Sequence, residues 1–183
     1  FPLAHLTKEE VKILAKENNL PAFHSKESQD ICFCPNFKDF LTKYIKPKKG
    51  NIVDLNNNIL GRHEGLCFYT IGQRQGIKLA GGPFYVLKKD FKNNFLIVTK
   101  NPEDLLQKTL SAKDINWISG TNPKFPLRVR AQIRYRHKAE LATIIKEKNS
   151  LKVSFDKPQK AITPGQSVVF YKNNQVLGGG IIQ

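Results

Sequence analysis

Leu127–Arg136 has the sequence Leu-Arg-Val-Arg-Ala-Gln-Ile-Arg-Tyr-Arg. Apolar and polar residues alternate strictly, which predicts a β-strand with one buried face, formed by Val129, Ala131, Ile133 and Tyr135. The other face would carry a row of guanidinium groups about 20 Å long, because same-face neighbours lie about 6.8 Å apart. This arginine row is Arg128, Arg130, Arg134 and Arg136. An ordinary exposed barrel face remains possible, but the lack of an acidic residue in the strand favours a surface that follows phosphates.

Short segments with the same period lie on both sides of this strand and are separated by turn-forming residues. They are Phe84–Lys88, Phe95–Thr99, Ala112–Ile118, Glu140–Lys146, Leu151–Phe155, Ser167–Tyr171 and Gln175–Ile182. Many short strands at regular spacing predict an antiparallel barrel or sandwich, and a barrel leaves no exposed sheet edge.

The first part of the chain mixes helical and strand patterns. Thr7 and Glu10 form a capping box before one helix, and Asn36 is placed to cap a second. The second helix would carry the apolar stripe Phe37, Phe40, Leu41 and Tyr44. A hairpin around 56–58 and a short aromatic strand within 61–76 follow. The predicted fold class is therefore α+β: a small mixed central domain with one or two helices, then an antiparallel β-barrel domain.

The composition points to a polyanionic partner. Thirty Lys and Arg residues against fifteen Asp and Glu give a net charge of +15 and a pI near 9.8. RNA or DNA fits this excess better than an anionic membrane surface. The sequence has no apolar run long enough to cross a membrane and no signal peptide pattern. Three cysteines are an odd number, which favours a reducing compartment, and we expect the cytoplasm.

Ser28–Pro35 holds two of the cysteines, Cys32 and Cys34, just before the second predicted helix. A helix N-terminus favours a thiolate, although free cysteines more often simply pack. A zinc site is an alternative, since His63 and Cys67 would complete four ligands. These spacings are not those of the usual zinc ribbons or fingers.

Six motifs, in this order, together resemble the tRNA-specific 2-thiouridylases. They are Phe1-Pro2-Leu3 with Leu6-Thr7-Lys8; Ser28 with Ile31-Cys32-Phe33, followed by Phe37, Phe40, Leu41 and Tyr44; His63-Glu64-Gly65 with Tyr69-Thr70-Ile71-Gly72-Gln73-Arg74; Arg134-Tyr135-Arg136; Thr163-Pro164-Gly165-Gln166-Ser167; and Leu177-Gly178-Gly179-Gly180-Ile181-Ile182. The resemblance spans nearly the whole chain, and the order of the motifs makes it specific.

The resemblance implies a division of the chain and a chemistry. Residues 1–24 would be the tail of an ATP-pyrophosphatase domain, residues 25–82 the central domain, and residues 83–183 a tRNA-binding barrel. In the family, the N-terminal domain binds ATP with magnesium and adenylates the C2 oxygen of the wobble uridine of tRNA. A persulfide, supplied by a protein of a cysteine desulfurase relay, then delivers sulfur. The chain lacks the family's phosphate loop, so we expect it to bind no cofactor and, alone, to bind tRNA without catalysis.

The resemblance also implies residue roles. Cys32 occupies the position of the persulfide-bearing cysteine, and Arg134, Tyr135 and Gln166 match tRNA-contacting segments. The arginine row is expected to add phosphate contacts through Arg128, Arg130 and Arg136. Cys34 departs from the family pattern, where an aliphatic residue is usual. The alternative function is a non-catalytic β-barrel RNA-binding module, with or without a structural zinc ion.

Overall fold

The computed structural model describes residues 2–24 and 37–183, with the side chain of Phe37 excepted. These residues divide into two compact units, 1–44 and 45–183, each considered by itself. The first unit contains helix α1 (Lys8–Glu17), a 3-10 turn at Pro21–His24 and helix α2 (Phe37–Tyr44). The predicted capping box is confirmed, because Thr7 and Glu10 exchange side-chain and backbone hydrogen bonds of 2.7 and 3.4 Å. The Asn36 cap lies outside the described residues.

The second unit begins with a four-stranded mixed sheet. Its strands are β1 (Gly50–Val53), β2 (Ile59–His63), β3 (Tyr85–Asp90) and β4 (Phe95–Thr99), arranged in the order β2-β1-β4-β3. The predicted hairpin is confirmed as the antiparallel β1–β2 pair, while β1 and β4 run parallel. One face of the sheet packs on the segment between β2 and β3 through Leu66 and Ile77.

A closed antiparallel barrel of six strands follows. Its strands are β5 (Leu106–Trp117), β6 (Leu127–Gln132), β7 (Glu140–Lys146), β8 (Leu151–Lys160), β9 (Ser167–Lys172) and β10 (Gln175–Ile182). Their order around the barrel is β10-β5-β8-β7-β6-β9, and β9 pairs with β10 to close it. The observed sheet and barrel therefore confirm the predicted α+β class.

The barrel interior is built by the inward residues of each alternating strand. Val129, Ala131 and Ile133 are buried as predicted, and Phe170 of β9 is fully buried among them. The ring of Phe170 stacks on Trp117 at a centroid distance of 5.7 Å. This cluster fills the barrel with side chains, which a six-stranded barrel requires because its interior is too narrow for a channel.

Three local predictions differ from the structure. The strand predicted at 127–136 ends at Gln132, so Tyr135 is 85% exposed and does not lie on the buried face. The short aromatic strand predicted within 61–76 is a 3-10 turn, Leu66–Phe68, flanked by loop. The segments Phe84–Lys88 and Phe95–Thr99, which the sequence analysis placed with the barrel, form β3 and β4 of the mixed sheet, because β4 pairs with β1. No helix in the described ranges is both long and apolar enough to cross a membrane.

Replacing Phe170 by Ala should lower the free energy of unfolding of the barrel by about 3–5 kcal/mol, because the change leaves a cavity beside Trp117. Urea unfolding followed by the fluorescence of Trp117, the one tryptophan in the sequence, measures the loss. Ile118→Ala is the control: this side chain is 67% exposed, so its effect should stay within about 0.5 kcal/mol. Equal effects of the two substitutions would contradict the packing described here.

Candidate nucleic-acid interface

A tight turn follows strand β6 and carries three of the predicted site residues. The backbone amide of His137 donates to the carbonyl of Arg134 at 3.2 Å, which closes the turn around Tyr135 and Arg136. Arg136 adopts a left-handed backbone conformation (φ 61°), and its guanidinium lies 5.4 Å from the centre of the Tyr135 ring. Arg134, Tyr135 and Arg136 are all exposed. The turn therefore presents two cations and an aromatic ring to solvent.

Two side chains of the barrel hold this turn in place. The side-chain amide of Gln132 donates to the carbonyl of His137 at 2.7 Å, and the hydroxyl of Tyr171 donates to the side-chain carbonyl of Gln132 at 3.1 Å. Gln132 and Tyr171 lie on the paired strands β6 and β9. A rigid element thus fixes the turn through a two-step hydrogen-bond relay. Sequence reasoning missed both residues, because only the register of β6 against β9 brings them together.

The Thr163–Ser167 motif lies beside this turn and is fixed by the end of β10. Ile182 accepts a hydrogen bond from Gly165 at 2.8 Å and donates one to the carbonyl of Gln166 at 2.8 Å. Gly165 has a φ of 87°, a conformation that favours glycine. The hydroxyl of Thr163 donates to the carbonyl of Ala161 at 2.9 Å. Gln166 therefore sits on a turn whose backbone is held at both ends.

Arg134, Tyr135 and Gln166 line one cavity of about 580 Å³ on the outer surface of the barrel. Gln166 is about thirty residues from Arg134 and Tyr135 in sequence, yet the pairing of β6 with β9 brings the two turns together. The rest of the lining is Gln132, Gly165, Ser167, Val169 and Tyr171. Amide, hydroxyl and guanidinium groups over an aliphatic and aromatic floor suit a planar, polar ligand such as a nucleobase.

The predicted arginine row is corrected by two observations. Arg134 and Arg136 belong to the turn, so only Arg128 and Arg130 alternate along β6. Arg128 also reaches across β7 and forms a two-pronged salt bridge with Asp156 of β8, with one bond of 2.7 Å. That hydrogen bond lowers the pKa of the Asp156 carboxyl and raises the pKa of Arg128, so both groups are charged and neutralise each other. Arg130 remains exposed, with a 3.4 Å bond to the carbonyl of Ala139.

The residues of the zinc hypothesis are only partly described. His63 is 1% exposed, and its Nε2 lies 3.1 Å from the carbonyl oxygen of Asn94. Cys67 is a free, half-buried thiol in the 3-10 turn. Within residues 2–24 and 37–183, no three His, Cys, Asp or Glu side chains converge as a metal site. Cys32 and Cys34 lie outside the described residues, so the catalytic assignment of Cys32 remains a prediction.

Comparison with models of known protein families divides the chain into three segments. Residues 1–36 match the tRNA methyl transferase HUP domain, residues 38–100 the tRNA methyl transferase PRC-barrel domain, and residues 107–182 the Aminomethyltransferase beta-barrel domain. The second match contains most of helix α2 and the whole mixed sheet, and the third covers the closed barrel. Two of the three descriptions refer to tRNA methyl transferases. The three matches, in this order, therefore define a class of multidomain proteins whose names refer mainly to tRNA.

Individual relatives identify the family. The chain is 44% identical to a protein of Francisella philomiragia and 42% identical to one of Francisella tularensis, both called tRNA-specific 2-thiouridylase MnmA. Each match covers the whole of this chain and 54% of the relative. The chain belongs to the tRNA 2-thiouridylase family and spans about half the length of the curated relatives it matches.

Replacing Tyr171 by Phe should loosen the Arg134–His137 turn while leaving the barrel folded, because it removes only the hydroxyl that fixes Gln132. One hydrogen bond is worth about 0.5–1.5 kcal/mol, so exchange of the His137 amide should accelerate by roughly 2- to 12-fold. Hydrogen exchange resolved by NMR measures this. Tyr85→Phe, in β3, is the matched control and should leave His137 unchanged; an equal response to both substitutions would contradict the relay.

Proposed function

We propose that this chain is the substrate-holding part of a tRNA 2-thiouridylase and binds tRNA through the outer surface of its barrel. The observation that carries the proposal is that Arg134, Tyr135 and Gln166 line the same cavity. The sequence resemblance assigns Arg134 and Tyr135 to one tRNA-contacting segment and Gln166 to another. Their convergence on one surface of a chain with net charge +15 supports a common ligand.

In this role, the cavity holds an unpaired nucleotide of the tRNA. The Tyr135 ring, 85% exposed and backed by Arg136, offers a face for base stacking. Arg134 contacts phosphate, while the Gln166 side chain can donate to and accept from a base edge. A base attacked at C2 must leave its stack, so a pocket that receives an unstacked nucleotide orients it for the reaction.

ATP does not fit the residues present. The first glycine of the sequence is Gly50, so the segment that matches the HUP domain, residues 1–36, cannot supply a glycine-rich phosphate loop. We therefore assign adenylation of the uridine to the N-terminal domain of the family. The chain by itself then acts as an RNA-binding protein and turns over no ATP.

Sulfur delivery is assigned to Cys32 on the strength of the resemblance. The terminal sulfur of a persulfide is a good nucleophile at neutral pH, and a sulfur-donor protein of a cysteine desulfurase relay would load it. Cys34 and Cys67 have no role in this step. Attack of the terminal persulfide sulfur on C2 of the adenylated wobble uridine would expel AMP and leave the base joined to Cys32 through an S–S bond. A thiol of the family's N-terminal domain would then attack the Cys32 sulfur of that bond, which releases 2-thiouridine and leaves Cys32 in a disulfide with that thiol.

The tRNA-binding proposal predicts which arginines contribute to the salt dependence of binding. Arg134→Ala should reduce the slope of log K against log salt by about 1, the value for one lost phosphate contact. Filter binding of unmodified tRNA to this chain over a salt series measures the slope.

The double variant Arg128→Gln/Asp156→Asn is the matched control for this series. It removes a pair that carries no net charge, so the slope should stay unchanged. If the double variant reduced the slope of log K against log salt as much as Arg134→Ala does, Arg128 would belong to the tRNA interface. That result would contradict our proposal. A wild-type chain that failed to bind tRNA at low salt would overturn the proposed function.

The catalytic assignment predicts that Cys32→Ser abolishes 2-thiouridine formation when this segment is present in a full-length 2-thiouridylase. A serine hydroxyl cannot carry a persulfide, so no sulfur reaches the activated base. Mass spectrometry of tRNA nucleosides from complemented cells measures the product. Cys34→Ser and Cys67→Ser are the matched controls and should retain most of it; loss in Cys34→Ser with survival in Cys32→Ser would reverse the assignment.

A further inference from the structure

The turn between β3 and β4, Asp90–Asn94, presents an aromatic ring to solvent. The side chain of Phe91 is 73% exposed. The Asp90 carboxylate accepts hydrogen bonds from the backbone amides of Lys92 and Asn93 at 2.9 and 3.1 Å, and from the Asn93 side chain at 2.8 Å. These bonds lower the pKa of Asp90, and the bond from the backbone amide of Asn93 contributes most. The carboxylate thus closes the turn that carries Phe91.

The same turn is fastened to the start of β1. The side-chain amide of Asn94 donates to the carbonyl of Lys49 at 2.8 Å, and its backbone carbonyl lies 3.1 Å from Nε2 of the buried His63. A side chain at Gly50 would place its Cβ 2.2 Å from the Asn94 carbonyl oxygen, so this close approach requires glycine. The position of the Phe91 backbone is therefore fixed by the sheet.

Lys89 adds a contact to the exposed ring. Its ammonium donates to the carbonyl of Tyr69 at 3.2 Å and lies 5.7 Å from the centre of the Phe91 ring. The cation is thus anchored to the segment between β2 and β3, and it favours one placement of the ring. Most of the Phe91 surface still faces solvent, which is unfavourable for an aromatic side chain without a partner.

The surroundings of Phe91 are basic. Lys89 and Lys92 flank it in sequence, and the Asn94 bond brings the Lys46–Lys49 tract to the same end of the sheet. The acidic residues nearby are engaged: Asp90 closes the turn, and Glu64 pairs with Lys49 at 3.3 Å. An exposed aromatic ring among several cations complements a single-stranded nucleic acid, which offers bases for stacking and phosphates for charge.

We propose that the Asp90–Asn94 turn is a second RNA-binding site, at which Phe91 stacks on an unpaired base while Lys92 contacts a flanking phosphate. The site lies on the mixed sheet and shares no residue with the cavity of Arg134, Tyr135 and Gln166. This site rests on the proposed function in one respect: the RNA that it would bind in the cell is the tRNA held by the barrel. A single ring offers too little apolar surface for a stable protein partner, whereas it suffices for one base.

The test compares two matched probes: a ten-nucleotide oligouridylate and an abasic ribose-phosphate oligomer of equal length. Phe91→Leu, which keeps an apolar side chain but loses the aromatic face, should weaken oligouridylate binding by roughly 5- to 150-fold and leave abasic binding unchanged. Lys92→Ala should weaken both and reduce the salt slope by about 0.7. Fluorescence anisotropy of labelled probes measures the affinity of the wild type and of each variant for both oligomers.

A second variant reports stacking directly. Phe91→Trp should bind oligouridylate at least as tightly as the wild type, and the added tryptophan emission should be quenched by oligouridylate and not by the abasic oligomer. Equal affinity of the wild type and Phe91→Leu for oligouridylate would overturn the site. Loss of binding to anionic phospholipid vesicles in Phe91→Leu, with RNA binding intact, would assign the turn to a membrane and also overturn it.

The outcome is separable from that of the proposed function. If Arg134→Ala weakens tRNA binding and Phe91→Leu does not, the barrel site stands and the second site falls. If Phe91→Leu alone weakens binding, the second site stands and the barrel assignment falls. If the wild-type chain binds neither tRNA nor oligouridylate, both fall together.

Discussion

The closure of the barrel through β10 is the constraint on which the candidate site depends. Strand β10 pairs with β9 on one side and β5 on the other, and its last residues hold the Gly165–Gln166 turn through Ile182. Strand β9 pairs in turn with β6, which ends at the Arg134–His137 turn. If the ring of strands did not close, these two turns would have no fixed separation. The cavity is therefore a property of the barrel, although every polar group in it belongs to a turn or a strand end.

Much of the fold could be predicted from local sequence. Short apolar segments between turn-forming residues predicted β7 and β10 with the bounds that the structure shows, and the capping box predicted the start of α1. The parallel pairing of β1 with β4 could not be predicted, because it joins segments about 45 residues apart with no local signal. The functional division at residues 24 and 82 remains a proposal, although the barrel strands themselves begin at Leu106.

The site was predicted less completely than the fold. Alternation continues through Arg134 and Tyr135, but the bond from Gln132 to His137 turns the backbone there, and no period in the sequence reveals a side-chain to backbone bond. The salt bridge from Arg128 to Asp156 crosses an intervening strand and joins residues 28 apart. A count of arginines therefore overstates the charge available to a ligand, since pairing decides which guanidinium groups are free.

The two turns that we propose to contact RNA are built in the same way. Each is closed by a side-chain hydrogen bond to the backbone, from Gln132 in one and to Asp90 in the other. Each exposes an aromatic ring with a cation between 5 and 6 Å from its centre, which is Arg136 beside Tyr135 and Lys89 beside Phe91. Fixing such a ring before binding reduces the entropy that is lost when a base stacks on it. Two rings held in this way on one basic unit would orient a flexible RNA better than charge alone, because phosphate contacts set affinity without fixing the position of any base.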